Sequence, residues 1–119
     1  MAHFFSSSKY HIAMNIFQLP TSLPIATAPE VFETLHDSKN IKIERIISTG
    51  QVSESWYDQE QDEWVCLLQG KAHLLFDHDQ GETIKLSAGD TLFIPKHRLH
   101  RVVYTSVQPA CIWLAIFWQ

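Results

Sequence analysis

Acidic, amide, imidazole and aromatic side chains are concentrated in two stretches of this chain. The first runs Trp56-Tyr-Asp-Gln-Glu-Gln-Asp-Glu63, and the second runs Pro95-Lys-His-Arg-Leu-His100. Carboxylates and imidazoles are the side chains that most often transfer protons and bind divalent cations. Nucleophilic hydrolysis is not indicated, because no base lies at a nucleophile–base spacing from the nearby hydroxyl groups of Thr49, Ser53 and Ser55.

Both stretches lie among short apolar segments that recur about every ten residues and are separated by turn-forming residues, the pattern of β-strands. Many short strands with almost no helix predict an all-β fold, an antiparallel sandwich or barrel. The predicted strands span residues 14–19, 41–49, 52–58, 64–69, 71–76, 83–86, 91–94, 101–105 and 111–118.

One short helix is predicted near the N-terminus, over Pro29–His36. Proline suits the first turn of a helix, where its missing N–H is not needed. Val31, Phe32 and Leu35 would then share one face.

The composition is that of one folded domain. The chain has 119 residues, of which 45% are hydrophobic and 12% aromatic, so it is too apolar to be disordered. Its formal charge of −4 and the absence of a basic block argue against a nucleic-acid partner. We expect residues 1–13 to form a poorly patterned tail and residues 14–119 to form the domain.

Location and oligomeric state are also expectations at this stage. Neither a signal peptide nor an apolar run of membrane-spanning length is present, so a cytoplasmic location without a membrane partner is the default. Cys66 and Cys111 lie in apolar runs and are expected to be buried thiols. Two strands, Trp64–Leu68 and Cys111–Trp118, are apolar on both faces, which predicts a homodimer that covers the second face.

The spacing of the glycines, the proline and several polar residues resembles the two sequence motifs of cupins, which are small double-stranded β-helix barrels of the jelly-roll type. In the first motif the His-x-His pair is replaced by Trp56 and Asp58. In the second motif His97 stands where the family has Gly, and Tyr104 stands where it has Asn. The positions that match are Gly50, Glu63 and Gly70 in the first motif and Gly89, Pro95 and His100 in the second.

The chain is also similar to small single-domain bacterial cupins that carry Trp-Tyr-Asp-Gln, then Glu-Trp-Val, and later Ile-Pro-x-His-x-x-His. The resemblance implies a metal site inside the barrel, with Mn²⁺, Fe²⁺, Zn²⁺ or Ni²⁺ as the divalent ion. It also implies a ligand pocket that includes Trp56 and Gln59, although Trp56 is equally suited to filling the barrel. The metal-binding residues that it implies are Asp58, Glu63, His100 and, as a second imidazole, His97. His97 has an alternative role as a turn residue with positive φ.

Two functions remain open. The first is a metal-dependent oxygenase, isomerase or decarboxylase that acts on a sugar or small organic acid, with Glu63 or His100 transferring a proton if it is not a ligand. The loss of the His-x-His pair weighs against an oxygenase. The second is a metal-free module that binds or senses a small molecule without catalysis.

Overall fold

The structure is a computed structural model that describes residues 13–77 and 83–119, and it consists of two antiparallel β-sheets. The first sheet has five strands in the order β1-β2-β8-β3-β6, and the second has three in the order β5-β4-β7. The strands are β1 (Val31–Asp37), β2 (Ile41–Ser48), β3 (Asp62–Gln69), β4 (Lys71–Phe76), β5 (Thr83–Ser87), β6 (Thr91–Ile94), β7 (His100–Thr105) and β8 (Cys111–Trp118). The predicted all-β jelly-roll architecture is therefore confirmed.

The core lies between the inner faces of the two sheets. In β8, Trp113 and Ala115 point inward and are at most 5% exposed, while the residues between them point to the other face of the sheet. Val65 and Leu67 of β3 lie beside them, and Leu74 of β4 meets them from the second sheet. This two-layer packing fixes which side chains of each strand can reach an internal site.

The helix predicted over Pro29–His36 is wrong, because this segment forms strand β1. Val31 pairs with Ile47 and Phe32 pairs with Ile46, so the backbone hydrogen bonds go to β2. The β-branched and aromatic residues of this stretch suit a strand at the edge of a sheet, and Pro29 precedes it where no ladder N–H is required. Pairing with β2 therefore outweighs the helical spacing of Val31, Phe32 and Leu35.

The strand predicted over residues 14–19 is also wrong, because a turn occupies Ile16 and Phe17. The Asn15 side chain accepts a hydrogen bond from the Phe17 N–H at 2.8 Å, and the Asn15 carbonyl accepts from Gln18 at 3.0 Å. The carbonyls of Ile16 and Gln18 accept hydrogen bonds from the buried guanidinium of Arg45 in β2. The segment is thus anchored by a side chain rather than by a sheet ladder.

The strand predicted over residues 52–58 is replaced by an irregular segment that runs beside β7. Its backbone is joined to β7 by a single bridge between Tyr57 and His100 and by two hydrogen bonds between Ser53 and Val102. One of these comes from the Ser53 hydroxyl, which accepts from the Val102 N–H at 2.9 Å. A side chain therefore occupies the place of a backbone partner, and the regular ladder does not form.

Two turns use left-handed backbone conformations. Gly70, between β3 and β4, has φ of +95°, and a Cβ there would lie 2.8 Å from both Cys111 Sγ and Ser106 Oγ. His97 has φ of +63°, which confirms its predicted role as the turn residue at the position where cupins carry Gly.

Both faces of the larger sheet are apolar, as the sequence pattern indicates. A row of neighbouring side chains crosses the face that points away from the core, and we call it the outer row: Ile43, Ile116, Trp64 and Phe93. Phe93 is 50% exposed.

Cys66 and Cys111 are buried free thiols, as expected. Within the described ranges no helix is long and apolar enough to cross a bilayer, and residues 1–12 of the predicted tail lie outside those ranges.

Candidate functional site

A cavity of about 140 Å³ lies between the sheets and is the candidate site. Its wall is mainly apolar and aromatic, with carboxyl groups and one imidazole set into it. Exposed Phe32 and Tyr57 lie where the cavity meets solvent. The polar lining residues are Glu30, Glu44, Gln59, Glu63 and His100, and the apolar and aromatic ones are Phe32, Ile46, Tyr57, Val65, Leu74, Ile94, Val102, Trp113 and Phe117.

Glu63 is the most deeply placed acid of the cavity. It is the second residue of β3, pairs with Ile94 and Phe117, and is 7% exposed. Burial raises the pKa of Glu63 to about 7, an effect that Glu44 reinforces and the Gln59 amide opposes. At neutral pH this side chain is therefore divided between its acid and carboxylate forms, so it can both donate and accept a proton.

His100 faces the cavity from the second sheet, at the start of β7, and is 4% exposed. Its Nδ1 lies 2.9 Å from the carbonyl oxygen of Arg98. Because a carbonyl only accepts, Nδ1 carries the hydrogen and the lone pair of the neutral ring is on Nε2. Burial lowers the pKa of His100, the Arg98 carbonyl opposes this, and the Arg98 charge adds to it. The ring is therefore neutral at pH 7 and Nε2 is a proton acceptor.

Loop residues complete the wall beside this pair. The Tyr57 backbone pairs with His100, and the two rings lie 5.5 Å apart between centroids. Gln59 lies beside Glu63, near enough to oppose the shift in its pKa, yet its buried Nε2 makes no hydrogen bond of normal geometry to any described residue. The carbonyl of Gln59 is held by the N–H of His97 at 2.7 Å.

The sequence-based prediction missed two acids of the wall. Glu30 precedes β1 and accepts a hydrogen bond from Ser48, whose hydroxyl accepts one from Trp113 Nε1 at 3.0 Å. Burial raises the pKa of Glu30, and the Ser48 bond opposes the shift. Glu44 in β2 pairs with Lys42 at 3.1 Å. The available signal was the parity of β2, since Glu44 alternates in step with Ile46 and Ser48 and must point to the same face.

Asp58, His97 and Trp56 lie outside the cavity wall. Asp58 Oδ1 is 2.8 Å from His97 Nδ1, and these side chains are 57% and 60% exposed. Trp56 is 39% exposed and lies under the guanidinium of Arg101, 5.3 Å from the ring centroid. Of the six residues predicted for the site, the structure brings Glu63, His100 and Gln59 together. The other three lie at the surface.

The residues present do not fit the metal site of the motif. Trp56 carries no ligand atom, and Asp58 is paired with His97 at the surface. Glu63 and His100 are then the only motif positions that reach the cavity. Over residues 13–77 and 83–119 no three His, Cys, Asp or Glu side chains are grouped closely enough to hold a metal ion. A stable divalent site needs three or four converging ligands.

Comparison with known families decides what kind of protein this is. The model of the cupin domain matches residues 44–117, which include all of the cavity wall except Glu30 and Phe32. The chain belongs to the cupin family. The match begins in β2 and ends in β8, so it covers every strand except β1.

Solved structures share this cupin fold. A candidate mannose-6-phosphate isomerase from Ralstonia eutropha is 36% identical, covers 92% of this chain and 99% of its own, and superposes with a TM-score of 0.80. A cupin superfamily protein from Desulfitobacterium hafniense is 21% identical over 90% of this chain and 98% of its own, with a TM-score of 0.65. The polyketide cyclase RemF from Streptomyces resistomycificus is 20% identical over 74% of this chain and 63% of its own, with a TM-score of 0.64. The search of curated proteins gave no match.

Proposed function

We propose that this cupin binds a small polar organic molecule in the cavity between its sheets and that Glu63 and His100 transfer a proton on it. One observation carries the proposal: an acid with a pKa of about 7 and a neutral imidazole line the same cavity from opposite sheets. A pair of groups that differ in protonation state can remove a proton at one atom and deliver one at another. Isomerisation and elimination are the reaction classes that need a proton removed at one atom and a proton delivered at another.

The relation to the Ralstonia protein supports an isomerase over the other classes. That protein is 36% identical and is named for the isomerisation of a phosphorylated sugar. An aldose–ketose isomerisation moves a proton between neighbouring carbons and oxygens, which is chemistry that a Glu–His pair can perform. No Lys or Arg among residues 13–77 and 83–119 lines the cavity, so these residues support the sugar part of such a substrate and give no phosphate site.

Proton exchange with solvent tests this proposal directly. Mannose, fructose and mannose 6-phosphate are incubated with the protein in D₂O, and loss of the C2–H or C1–H signal is followed by NMR. Glu63→Gln and His100→Gln should each slow exchange by about 100-fold or more. Asp58→Asn, which removes a carboxylate outside the cavity, is the matched control and should leave the rate unchanged. Exchange that survives Glu63→Gln and is lost in Asp58→Asn would overturn the assignment.

Metal dependence is a separate question that metal analysis of tag-free protein answers. Because the wall offers only two of the motif ligands, we expect Mn, Fe, Zn and Ni together to be well below one ion per chain. A stoichiometric ion that is lost in His100→Ala would instead support the metal-dependent enzyme implied by the motif resemblance.

A second candidate is a ligand-binding or sensing module without catalysis. The aromatic lining favours it, because Phe32, Tyr57, Trp113 and Phe117 provide contact area for a ligand but no chemistry. Binding of a sugar with chemical-shift changes in the cavity but without deuterium exchange would support this function over the first.

A further inference from the structure

The charged groups of the cavity wall indicate the chemical class of its ligand. The proton-transfer pair alone does not indicate it. Three carboxyl groups line the wall, those of Glu30, Glu44 and Glu63, and no Lys or Arg of the described residues does. Glu44 is paired with Lys42, but the Lys42 side chain is 39% exposed and is not part of the wall. A ligand in the cavity therefore meets carboxyl groups and no cationic side chain of the described residues.

The three carboxyl groups surround the cavity instead of forming one cluster. Thr34 pairs with Glu44, and Ser48, which bonds Glu30, is four residues further along β2. This places Glu30 and Glu44 about 13 Å apart along the strands. Glu63 lies on β3, two strands away from β2, or about 10 Å across the sheet. The separation is too great for a shared metal ion, but the carboxylate forms of these groups all favour a cation in the largely apolar space between them.

The other polar side chains of the wall offer an acceptor on His100 and a buried donor, Gln59 Nε2. His100 is 4% exposed, and its Nδ1–H is held by the Arg98 carbonyl. Its Nε2 lone pair has no hydrogen-bond partner among residues 13–77 and 83–119, although the ring lines the cavity. An acceptor that faces the cavity is matched by a ligand that donates. An ammonium group has up to three donors and no acceptor.

Aromatic rings form much of the remaining wall. Phe32, Tyr57, Trp113 and Phe117 all line the cavity. Aromatic faces attract cations through the ring quadrupole, and the attraction is strongest where water is excluded. The same rings favour the alkyl groups of an organic cation over a strongly hydrated inorganic ion.

We propose that the ligand of this cavity is a small organic cation, a primary or substituted amine in its ammonium form. The inference rests on the proposed function in taking the cavity as the ligand site, and it adds the chemical class of the ligand. The carboxyl groups of Glu44 and Glu63 and the lone pair of His100 receive the cationic end. The aromatic rings contact its alkyl groups.

Matched probes of nearly equal shape separate charge from size. Choline and its neutral isostere 3,3-dimethylbutan-1-ol are titrated into the protein, with ethanolamine and glycolate as a smaller cation–anion pair. Binding is followed by calorimetry and by NMR of the Trp113 indole and His100 ring signals. Choline or ethanolamine should bind about tenfold or more tightly than the neutral alcohol, and glycolate should not bind.

Variants of the wall residues then show which carboxyl groups contribute to binding of the cation. Glu44→Gln and Glu63→Gln should each weaken binding of the cation by several-fold and leave the neutral alcohol unaffected. Glu60→Gln removes an equal charge at an exposed position away from the cavity and should change nothing. Equal binding of choline and its neutral isostere, tighter binding of glycolate, or no binding of either cation would overturn the inference. The deuterium-exchange result with neutral sugars would still stand in each of these cases, so failure here is distinct from failure of the proposed function.

Discussion

Glu63 shows how the surroundings of a single carboxyl group change its pKa and allow it to transfer protons. Its neighbours in sequence, Glu60 and Asp62, belong to the same acidic stretch, yet Glu60 is exposed and Asp62 accepts a hydrogen bond from the Lys96 N–H at 2.9 Å. Only Glu63 enters the ladder of β3 with its side chain toward the core. Burial makes the difference, because desolvation penalises the charged form.

This burial predicts a pH dependence of stability with a definite sign. The pKa of Glu63 is raised to about 7 from 4.5, so the native state binds a proton that the unfolded state releases between these values. The stabilising effect is complete below about pH 4.5 and is lost as the pH rises through 7. Relative to Glu63→Gln, the wild-type protein should lose about 3 kcal/mol of unfolding free energy across this range.

Urea unfolding of both proteins between pH 4.5 and 8 measures the effect. The depressed pKa of His100 acts in the opposite direction, since it favours the native state as the pH rises toward 6.5, but it is common to both proteins and cancels in the difference. Glu60→Gln is the exposed control. A difference between wild type and Glu63→Gln that does not vary with pH would contradict the placement of Glu63.

At the scale of elements, Arg45 connects β2 to two neighbouring segments. Its guanidinium is 1% exposed, lies 2.5 Å from Glu33 of β1, and donates to the carbonyls of Ile16 and Gln18. Burial raises the pKa of Glu33, but interactions that include the hydrogen bond and the charge of Arg45 outweigh burial and lower it. The ion pair therefore holds the N-terminal segment and the edge strand together.

Removing the Arg45 cation should lower the free energy of unfolding. Arg45→Met removes the cation that pairs with Glu33 and the donors to the carbonyls of Ile16 and Gln18, so we expect a loss of about 3 kcal/mol or more in chemical unfolding. The double variant Arg45→Met/Glu33→Gln should recover part of the loss. Lys42→Met, at the exposed end of the same strand, should cost less than about 1 kcal/mol. If Arg45→Met and Lys42→Met cost the same, the anchoring role is wrong.

Gly70 and Gly89 both lie in turns, and comparing alanine substitutions at the two positions separates backbone strain from side-chain packing. Both have positive φ, +95° and +93°, so alanine at either position costs about 1 kcal/mol in backbone strain. A Cβ at Gly89 meets nothing within 4 Å, whereas at Gly70 it lies 2.8 Å from Cys111 Sγ. Gly70→Ala should therefore destabilise by about 2 kcal/mol more than Gly89→Ala in thermal or urea unfolding. Equal losses would show that the β3–β4 turn is less tightly packed against β8.

At the scale of the molecule, the outer row predicts the homodimer that the two-sided apolar strands already indicated. Apolar side chains of four strands lie side by side on this face, and Phe93 stacks on Trp118 at 6.0 Å between ring centroids. A stable interface on this face should bury on the order of 2,000 Å². Phe93→Glu should shift the protein to monomer, while Val52→Glu, at an exposed site off the sheet, should not. A wild-type monomer at micromolar concentration in sedimentation velocity would contradict the dimer.

Local sequence by itself determined most of the barrel and the deepest part of the site. Seven of the strands follow from short apolar segments separated by turn residues, which are local features of the sequence. The motif resemblance placed Glu63 and His100 inside the barrel. Sequence spacing failed for Pro29–His36, since a short apolar stretch fits a helix and a strand equally well and only pairing with β2 decides between them.

The tertiary structure alone decided the composition of the cavity. Motif spacing counted Asp58 among the inward ligands, but the segment before β3 is irregular, so its side chains do not alternate and Asp58 pairs with His97 at the surface. Glu30 and Glu44 reach the wall because of strands that come together across the sheet, far from the motif in sequence. Residue spacing along β2 indicates which face Glu44 points to, but which charges surround a ligand depends on contacts between segments that are distant in sequence.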